Sequence, residues 1–176
     1  YNSHMDSYEI INLENIPEEA VLDFANRIAT RAVVLNKNNL VGILYSTKMD
    51  FYQLPGGKVE VGETMEEGVI RECEEEIGCN VEVVAEIGKT KEYRKYNRKI
   101  NDSTCFIAKA LSIKEGYVPD GEDEIKFGMV VKWMAAEDII KGLESSRHDE
   151  PAWVQTFHRD MYFLKQAQEY LKKNNI

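Results

Sequence analysis

The sequence predicts an α/β (α+β) fold in which helices pack on a mixed β-sheet. Runs of β-branched and apolar residues alternate with stretches whose apolar residues recur every three or four positions, a mixture typical of sheets covered by helices. The chain of 176 residues suits one domain with a substantial core. Its composition, 43% hydrophobic and 30% charged, is that of a folded globular protein.

The termini and composition restrict the partners that we expect. Residues 1–4 precede the first Met and are interpreted as an expression-tag remnant, so the single domain is expected to span residues 5–176. We find neither a secretory leader nor an apolar run of about 18 residues, so we expect no membrane partner. A net charge of −9 argues against binding a nucleic acid polymer. It leaves a small phosphorylated substrate open, because a bound metal can supply positive charge locally.

The cysteines indicate a compartment rather than a zinc site. The chain has three, Cys73, Cys79 and Cys105, and no two of them form a CxxC pair. An odd number of cysteines without an export signal favours the reducing cytoplasm.

The first third of the chain is predicted to form mainly strands. Residues 8–16 are expected to be a strand or extended arm, and residues 17–28 a short helix that begins at a proline. A hairpin is predicted over residues 31–46, because two β-branched runs flank a cluster of turn-forming residues. A third strand, residues 51–54, ends at Pro55-Gly56-Gly57.

A helix is predicted from Met65 to Ile77. Thr64 and Glu67 have the spacing of a capping box, and Gly78 is a natural C-terminal stop. Its apolar residues recur at intervals of three and four and are expected to form one buried stripe: Met65, Val69, Ile70, Cys73 and Ile77.

The rest of the chain is predicted to alternate between strands and helices. The predicted elements are strands at 80–93 and 103–113 joined by a basic loop, an acidic loop at 117–128, a strand at 130–134, a short helix at 135–142 and an amphipathic helix at 151–173.

The first predicted long helix carries Glu72, Glu75 and Glu76 on one face. These carboxylates repel one another, which raises at least one pKa unless a cation binds. Oxygen-rich carboxylate sites suit Mg²⁺ or Mn²⁺. A solvated charged face is the alternative. The flanking glycines and Glu63 favour the metal site over that alternative.

Seven residues in this region have the spacing of a known family motif: Gly57, Glu63, Arg71, Glu72, Glu75, Glu76 and Gly78. The pattern resembles the box of the Nudix (MutT-like) hydrolases, with Cys73 and Cys79 at its two aliphatic positions. The resemblance implies a Nudix-like α/β/α sandwich. It also implies a hydrolase, dependent on Mg²⁺ (or Mn²⁺), that cleaves the pyrophosphate bond of a nucleoside diphosphate linked to another moiety. A catalytically silent nucleotide-binding or regulatory module is the alternative function.

The resemblance also implies roles for the residues of the box. Glu72 and Glu76 would bind the metal directly, Glu75 directly or through water, and the Gly57 carbonyl would complete the shell. Arg71 would orient a carboxylate and Glu63 would hold Arg71. The resulting catalytic candidates are Glu63, Arg71, Glu75, Glu76 and the general base. In parts of this family the base lies within the box and in others on a later loop, where we expect Glu124, with Glu122 next; a solvated acidic turn is the alternative for that loop.

The segment after the box supplies the candidates for substrate binding, which are Tyr93, Arg94 and Tyr96. Tyr96 stands where dinucleoside-polyphosphate members of the family often carry a Tyr, and nucleoside triphosphates are equally compatible. Trp133, Trp153 and Phe157 are interpreted as core residues or as stacking partners of a base. His148 and His158 are expected to be surface or partly buried residues rather than ligands or catalytic groups. A homodimer stays open, because dimers are common in the family.

Overall fold

The computed structural model describes residues 8–146 and 150–175. Within them, seven strands form one mixed sheet in the order β1-β5-β6-β2-β3-β4, and β7 pairs with β3. The strands are β1 (Tyr8–Ile11), β2 (Ala25–Leu35), β3 (Val41–Ser46), β4 (Phe51–Gln53), β5 (Cys79–Arg94), β6 (Lys99–Ile113) and β7 (Met129–Met134). The helices are α1 (Glu18–Val21), α2 (Met65–Ile77), α3 (Glu122–Phe127), α4 (Ala136–Ser145) and α5 (Pro151–Asn174), with one turn of 3₁₀ helix at Lys95–Asn97. The interpreted tag remnant and His148 lie outside the described residues.

Several local predictions are confirmed. The hairpin is β2 and β3, which pair antiparallel across a turn in which the Asn36 amide donates to the Leu40 carbonyl. Helix α2 has the predicted bounds, because both hydrogen bonds of the Thr64–Glu67 capping box form. The helix ends at Gly78, whose φ of 60° is left-handed.

Three local predictions are wrong. The helix expected over residues 17–28 is only the short α1, because β2 already begins at Ala25 and pairs in parallel with β6 from Lys99 onward. The acidic loop at 117–128 contains α3, which ends at a left-handed glycine. Ile70 is 40% exposed, because it lies about 100° around α2 from the buried Val69.

The sheet is packed between helices on both faces, which confirms the α/β/α architecture. Side chains alternate along β2, so Ala32 and Val34 face α2 while Val33 and Leu35 face α4 and α5. No helix in the described part of the chain is both long and apolar enough to cross a membrane. The homodimer and the cytoplasmic location stay predictions.

The capping box predicts a measurable contribution to stability. Removing the Thr64 hydroxyl in Thr64→Ala leaves the Glu67 amide without its acceptor at 3.1 Å. We expect the free energy of unfolding, measured by denaturant titration, to fall by about 1 kcal/mol. Thr64→Ser keeps the acceptor and serves as the control. An equal loss in both variants would contradict the capping role.

Candidate active site

The turn after β4 runs tightly along β2. The Thr30 amide donates to the Gly57 carbonyl at 2.9 Å, and the Ala32 amide donates to the Pro55 carbonyl at 3.0 Å. A Cβ on Gly56, whose φ is +135°, would lie 2.2 Å from the Thr30 carbonyl oxygen. A Cβ on Gly57 would lie 2.3 Å from Glu72 Oε1. Glycine is therefore required at position 56, whereas a side chain at position 57 would displace the Glu72 carboxylate.

Arg71 ties α2 to the loop that precedes it. Its Nε donates to Glu63 Oε1 at 2.7 Å, and its Nη2 donates to the Lys58 carbonyl at 3.1 Å. Its Nη1 lies 3.0 Å from both Glu72 Oε1 and Glu75 Oε2. The hydrogen bonds from the Arg71 guanidinium and the Glu60 amide hold the pKa of Glu63 down to about 2. One guanidinium therefore fixes three carboxylates in place.

Glu72 and Glu76 face a common cavity. Glu72 is 9% exposed, and burial raises its pKa even though Arg71 opposes the shift. The Gly56 amide donates to Glu76 Oε2 at 2.7 Å. Burial nevertheless raises the pKa of Glu76 to about 8; Arg31 opposes this shift, while Glu72 and Glu124 add to it. Burial therefore disfavours the ionised form of both carboxylates in the protein alone.

This pair fits a divalent cation. Carboxylate oxygens are donors that Mg²⁺ and Mn²⁺ prefer, and a cation would stabilise the ionised form of both acids. Within residues 8–146 and 150–175, no group of three or more His, Cys, Asp or Glu residues is already arranged around one point. The exposed Glu75 is held by Arg71, so the carboxylates that face the cavity from α2 are Glu72 and Glu76.

The cavity has a volume of about 460 Å³, and its walls differ in chemistry. The acidic wall consists of Glu72, Glu76, Asp123 and Glu124; the basic wall of Arg27, Arg31, Lys58, Arg94, Lys99 and Arg159; and the apolar wall of Phe127, Met129, Ala152 and Trp153. Such a cavity can hold a small anionic molecule that also has an apolar part.

The structure brings some of the predicted site residues together and leaves others aside. Gly57, Glu72, Glu76, Glu124 and Arg94 line the cavity, whereas Glu63 and Glu75 contact Arg71. Among the described residues, Glu122, Tyr93 and Tyr96 do not line it. The Tyr93 carbonyl accepts from Gln155, and the half-exposed Tyr96 hydroxyl lies 3.2 Å from Arg94 Nη1.

Sequence reasoning missed Arg27, Arg31 and Arg159. The strand that holds Arg27 was predicted to be part of a helix, which hid its pairing with Arg31 on one face of β2. The signal was present in the alternation of residues 27, 29, 31, 33 and 35, which all fall on one face. Arg159 gave no such signal, because its burial depends on the sheet above which α5 packs, where Glu92 of β5 approaches it.

Of the aromatic candidates, Trp153 lines the cavity, while Trp133 packs on the α2 side of the core and Phe157 on the α5 side. The Trp153 ring centroid lies 4.6 Å from that of Phe51 and 5.1 Å from that of Phe127.

Comparison with known proteins places this site in a family. The sequence model of the NUDIX domain matches residues 25–157. An RNA pyrophosphohydrolase from Zymomonas mobilis is 43% identical over 67 residues, which are 37% of this chain and 43% of that protein. A putative 8-oxo-dGTP diphosphatase from Bacillus subtilis is 38% identical over 56 residues, 32% of this chain and 38% of that protein. The chain spans less than half the length of these curated relatives.

Solved structures share the fold. A MutT protein from Methanosarcina mazei Go1 superposes with a TM-score of 0.53 at 20% identity, covering 79% of this chain and 94% of that one. A NUDIX hydrolase from Nitrosomonas europaea superposes with a TM-score of 0.58 at 17% identity, covering 80% and 90%. Because the NUDIX domain match extends over more than half of the sequence and includes the glycine turn, Arg71 and both cavity carboxylates of α2, the chain belongs to the Nudix family.

Proposed function

We propose that the chain is a divalent-metal-dependent hydrolase that cleaves the pyrophosphate bond of a nucleoside triphosphate or dinucleoside polyphosphate. The observation that carries this proposal is that Glu72 and Glu76 line the same cavity as six basic side chains. Hydrolysis of a phosphoanhydride uses both kinds of side chain. Basic groups balance the negative charge of the phosphate oxygens, and carboxylates hold the metal that activates water beside them. The names of the curated relatives, a pyrophosphohydrolase and a diphosphatase, support the same reaction class.

In this proposal Glu72, Glu76 and the Gly57 carbonyl hold Mg²⁺ or Mn²⁺, with Glu75 as a further ligand directly or through water. The bound cation neutralises charge on the phosphate oxygens and lowers the pKa of water. Arg71 holds Glu72 in place through the 3.0 Å contact, and Glu63 holds Arg71. These contacts keep the carboxylates oriented before substrate arrives.

We assign the general base to Glu124. It lies in the first turn of α3 and lines the cavity together with its neighbour Asp123. It is close enough to Glu76 to contribute to the raised pKa of that residue. In this role its carboxylate takes the proton of the attacking water.

The apolar wall is the place for a nucleobase. Trp153 is positioned by two aromatic neighbours, Phe51 and Phe127. Rings held in this way present a fixed apolar surface, and a base can stack on such a surface whatever its identity. Arg94, whose Nη1 lies 3.2 Å from the Tyr96 hydroxyl, is proposed to contact the phosphate-bearing part of the substrate.

Glu76→Gln tests the proposed reaction. The substitution removes a charge while preserving size, so we expect turnover to fall by at least about 10²-fold. Phosphate or pyrophosphate release is measured with Mg²⁺ and with Mn²⁺ across nucleoside triphosphates and dinucleoside polyphosphates. Glu74→Gln, on the exposed side of the same helix, is the matched control. Binding of these nucleotides without product release by the wild type would instead support a silent binding module.

Metal binding can be measured separately from turnover. Because a ligand that binds only the folded state stabilises it by mass action, Mg²⁺ or Mn²⁺ should raise the melting temperature of the wild type. The rise should be lost in Glu76→Gln and kept in Glu74→Gln. A melting temperature that does not respond to either cation would refute the metal site.

Glu124→Gln tests the proposed base. If Glu124 accepts the water proton, kcat should fall by about 10²- to 10⁴-fold with little change in KM. Glu122→Gln is the control, because Glu122 is exposed and does not line the cavity among the described residues. Equal kcat values for the two variants would move the base elsewhere.

A further inference from the structure

The register of the sheet places polar side chains in one row beneath α5. Asn101 of β6 pairs with Glu92 of β5 on one side and with Arg27 of β2 on the other. Directly paired residues project to the same face of a sheet, so these three side chains are neighbours. Arg31 projects to the same face farther along β2.

Helix α5 adds a buried arginine to this row. Arg159 is 1% exposed, its Nε donates to Asp160 Oδ1 at 2.7 Å, and its Nη1 lies 3.7 Å from Glu92 Oε1. The Leu54 amide donates to the other oxygen of Asp160 at 2.9 Å, which fixes that acid to the end of β4. Arg159 is therefore held from several sides.

Arg94 is held by Glu92, the acid that also lies near Arg159. Its Nε donates to Glu92 Oε2 at 3.2 Å. The Asn101 side chain lies against the guanidinium, and its oxygen accepts from Nη2 at 2.9 Å when the amide is turned toward Arg94. The position of this cation is thus set before any ligand binds.

Among the residues that the structure describes, the basic wall contains buried arginine donors that have no acceptor. Four arginines, Arg27, Arg31, Arg94 and Arg159, line the cavity, and the fully buried acids Glu92 and Asp160 form ion pairs with two of them, Arg94 and Arg159. Within the described residues, Arg31 Nε and Arg159 Nη2 are buried and have no hydrogen-bond partner. Buried polar groups are nearly always paired, and an unpaired buried donor costs free energy. Both arginines line the cavity, as Arg27 and Arg94 do, so the four guanidinium groups lie around one space.

We propose that Arg27, Arg31, Arg94 and Arg159 form a phosphate subsite, distinct from the carboxylate pair, that binds a phosphate group lying beyond the cleaved anhydride. One planar guanidinium can donate two parallel hydrogen bonds to a phosphate, so several arginines around one cavity suit the binding of a phosphate group. The inference rests on the proposed function for the identity of the substrate. It selects substrates with a chain of three or more phosphates over nucleoside diphosphates joined to a sugar.

The subsite can be tested on the full chain without metal or catalysis. Inorganic tripolyphosphate in EDTA is titrated calorimetrically into the wild type, Arg27→Gln and Lys37→Gln. Arg27 is half-buried on the cavity, whereas Lys37 is exposed in the β2–β3 turn and removes the same charge. We expect Arg27→Gln to bind about 10-fold more weakly or worse, the cost of losing a charged hydrogen-bond donor, and Lys37→Gln to bind as the wild type does. Equal binding by all three, or an equal loss in both variants, overturns the subsite.

A second measurement separates the subsite from the folding of the variant. In the enzyme assayed with Mg²⁺ or Mn²⁺, Arg27→Gln should lower kcat/KM for a nucleoside triphosphate by at least about 10-fold more than for a nucleoside diphosphate sugar. Equal losses on both substrates would overturn the assignment. Binding that depends on Arg27 in a protein that hydrolyses neither substrate would retain the subsite and refute the proposed function.

Discussion

The close contact between the Gly56-Gly57 turn and α2 is the constraint on which the rest of the site depends. The Gly56 amide donates to Glu76, and the backbone of Gly57 lies where any Cβ would meet the Glu72 carboxylate. The same turn is bonded to β2 through Thr30. Helix, turn and sheet therefore meet at one point, and the two carboxylates reach the cavity only because no side chain separates these elements.

A second constraint is the division of one sheet face into apolar and polar halves. Along β2, Val33 and Leu35 pack under the apolar end of α5, while Arg27 and Arg31 lie on the same face toward the cavity. Helix α5 matches this division, because Arg159 is buried near its start and Phe163 and Leu164 farther along. A buried ion pair gains little stability over an apolar contact, since desolvation offsets attraction. This polar half is therefore better explained by what it binds than by stability.

The sequence was informative where the cause of structure is local. Thr64 and Gly78 fixed both ends of α2, and the spacing of its glutamates indicated the acidic wall before any tertiary contact was known. It was uninformative where the cause is distant. Arg159 looks like the solvated side of an amphipathic helix until β5 supplies Glu92, and Arg27 looks helical until β6 supplies a pairing partner. Burial of polar residues depends on strand register, which a single sequence does not reveal.

The distribution of charge reconciles an acidic protein with an anionic ligand. The chain as a whole carries −9, which disfavours broad contact with a phosphate backbone. The cavity wall nevertheless concentrates four arginines, and among the described residues Glu92 and Asp160 form ion pairs with two of them, Arg94 and Arg159. Charges that line a cavity act more strongly at short range than charges on the outer surface, whose field is weakened by bulk water and salt. Under the proposed function, this contrast favours a compact polyphosphate, because a ligand small enough to enter the cavity meets the arginines without broad contact with the acidic outer surface.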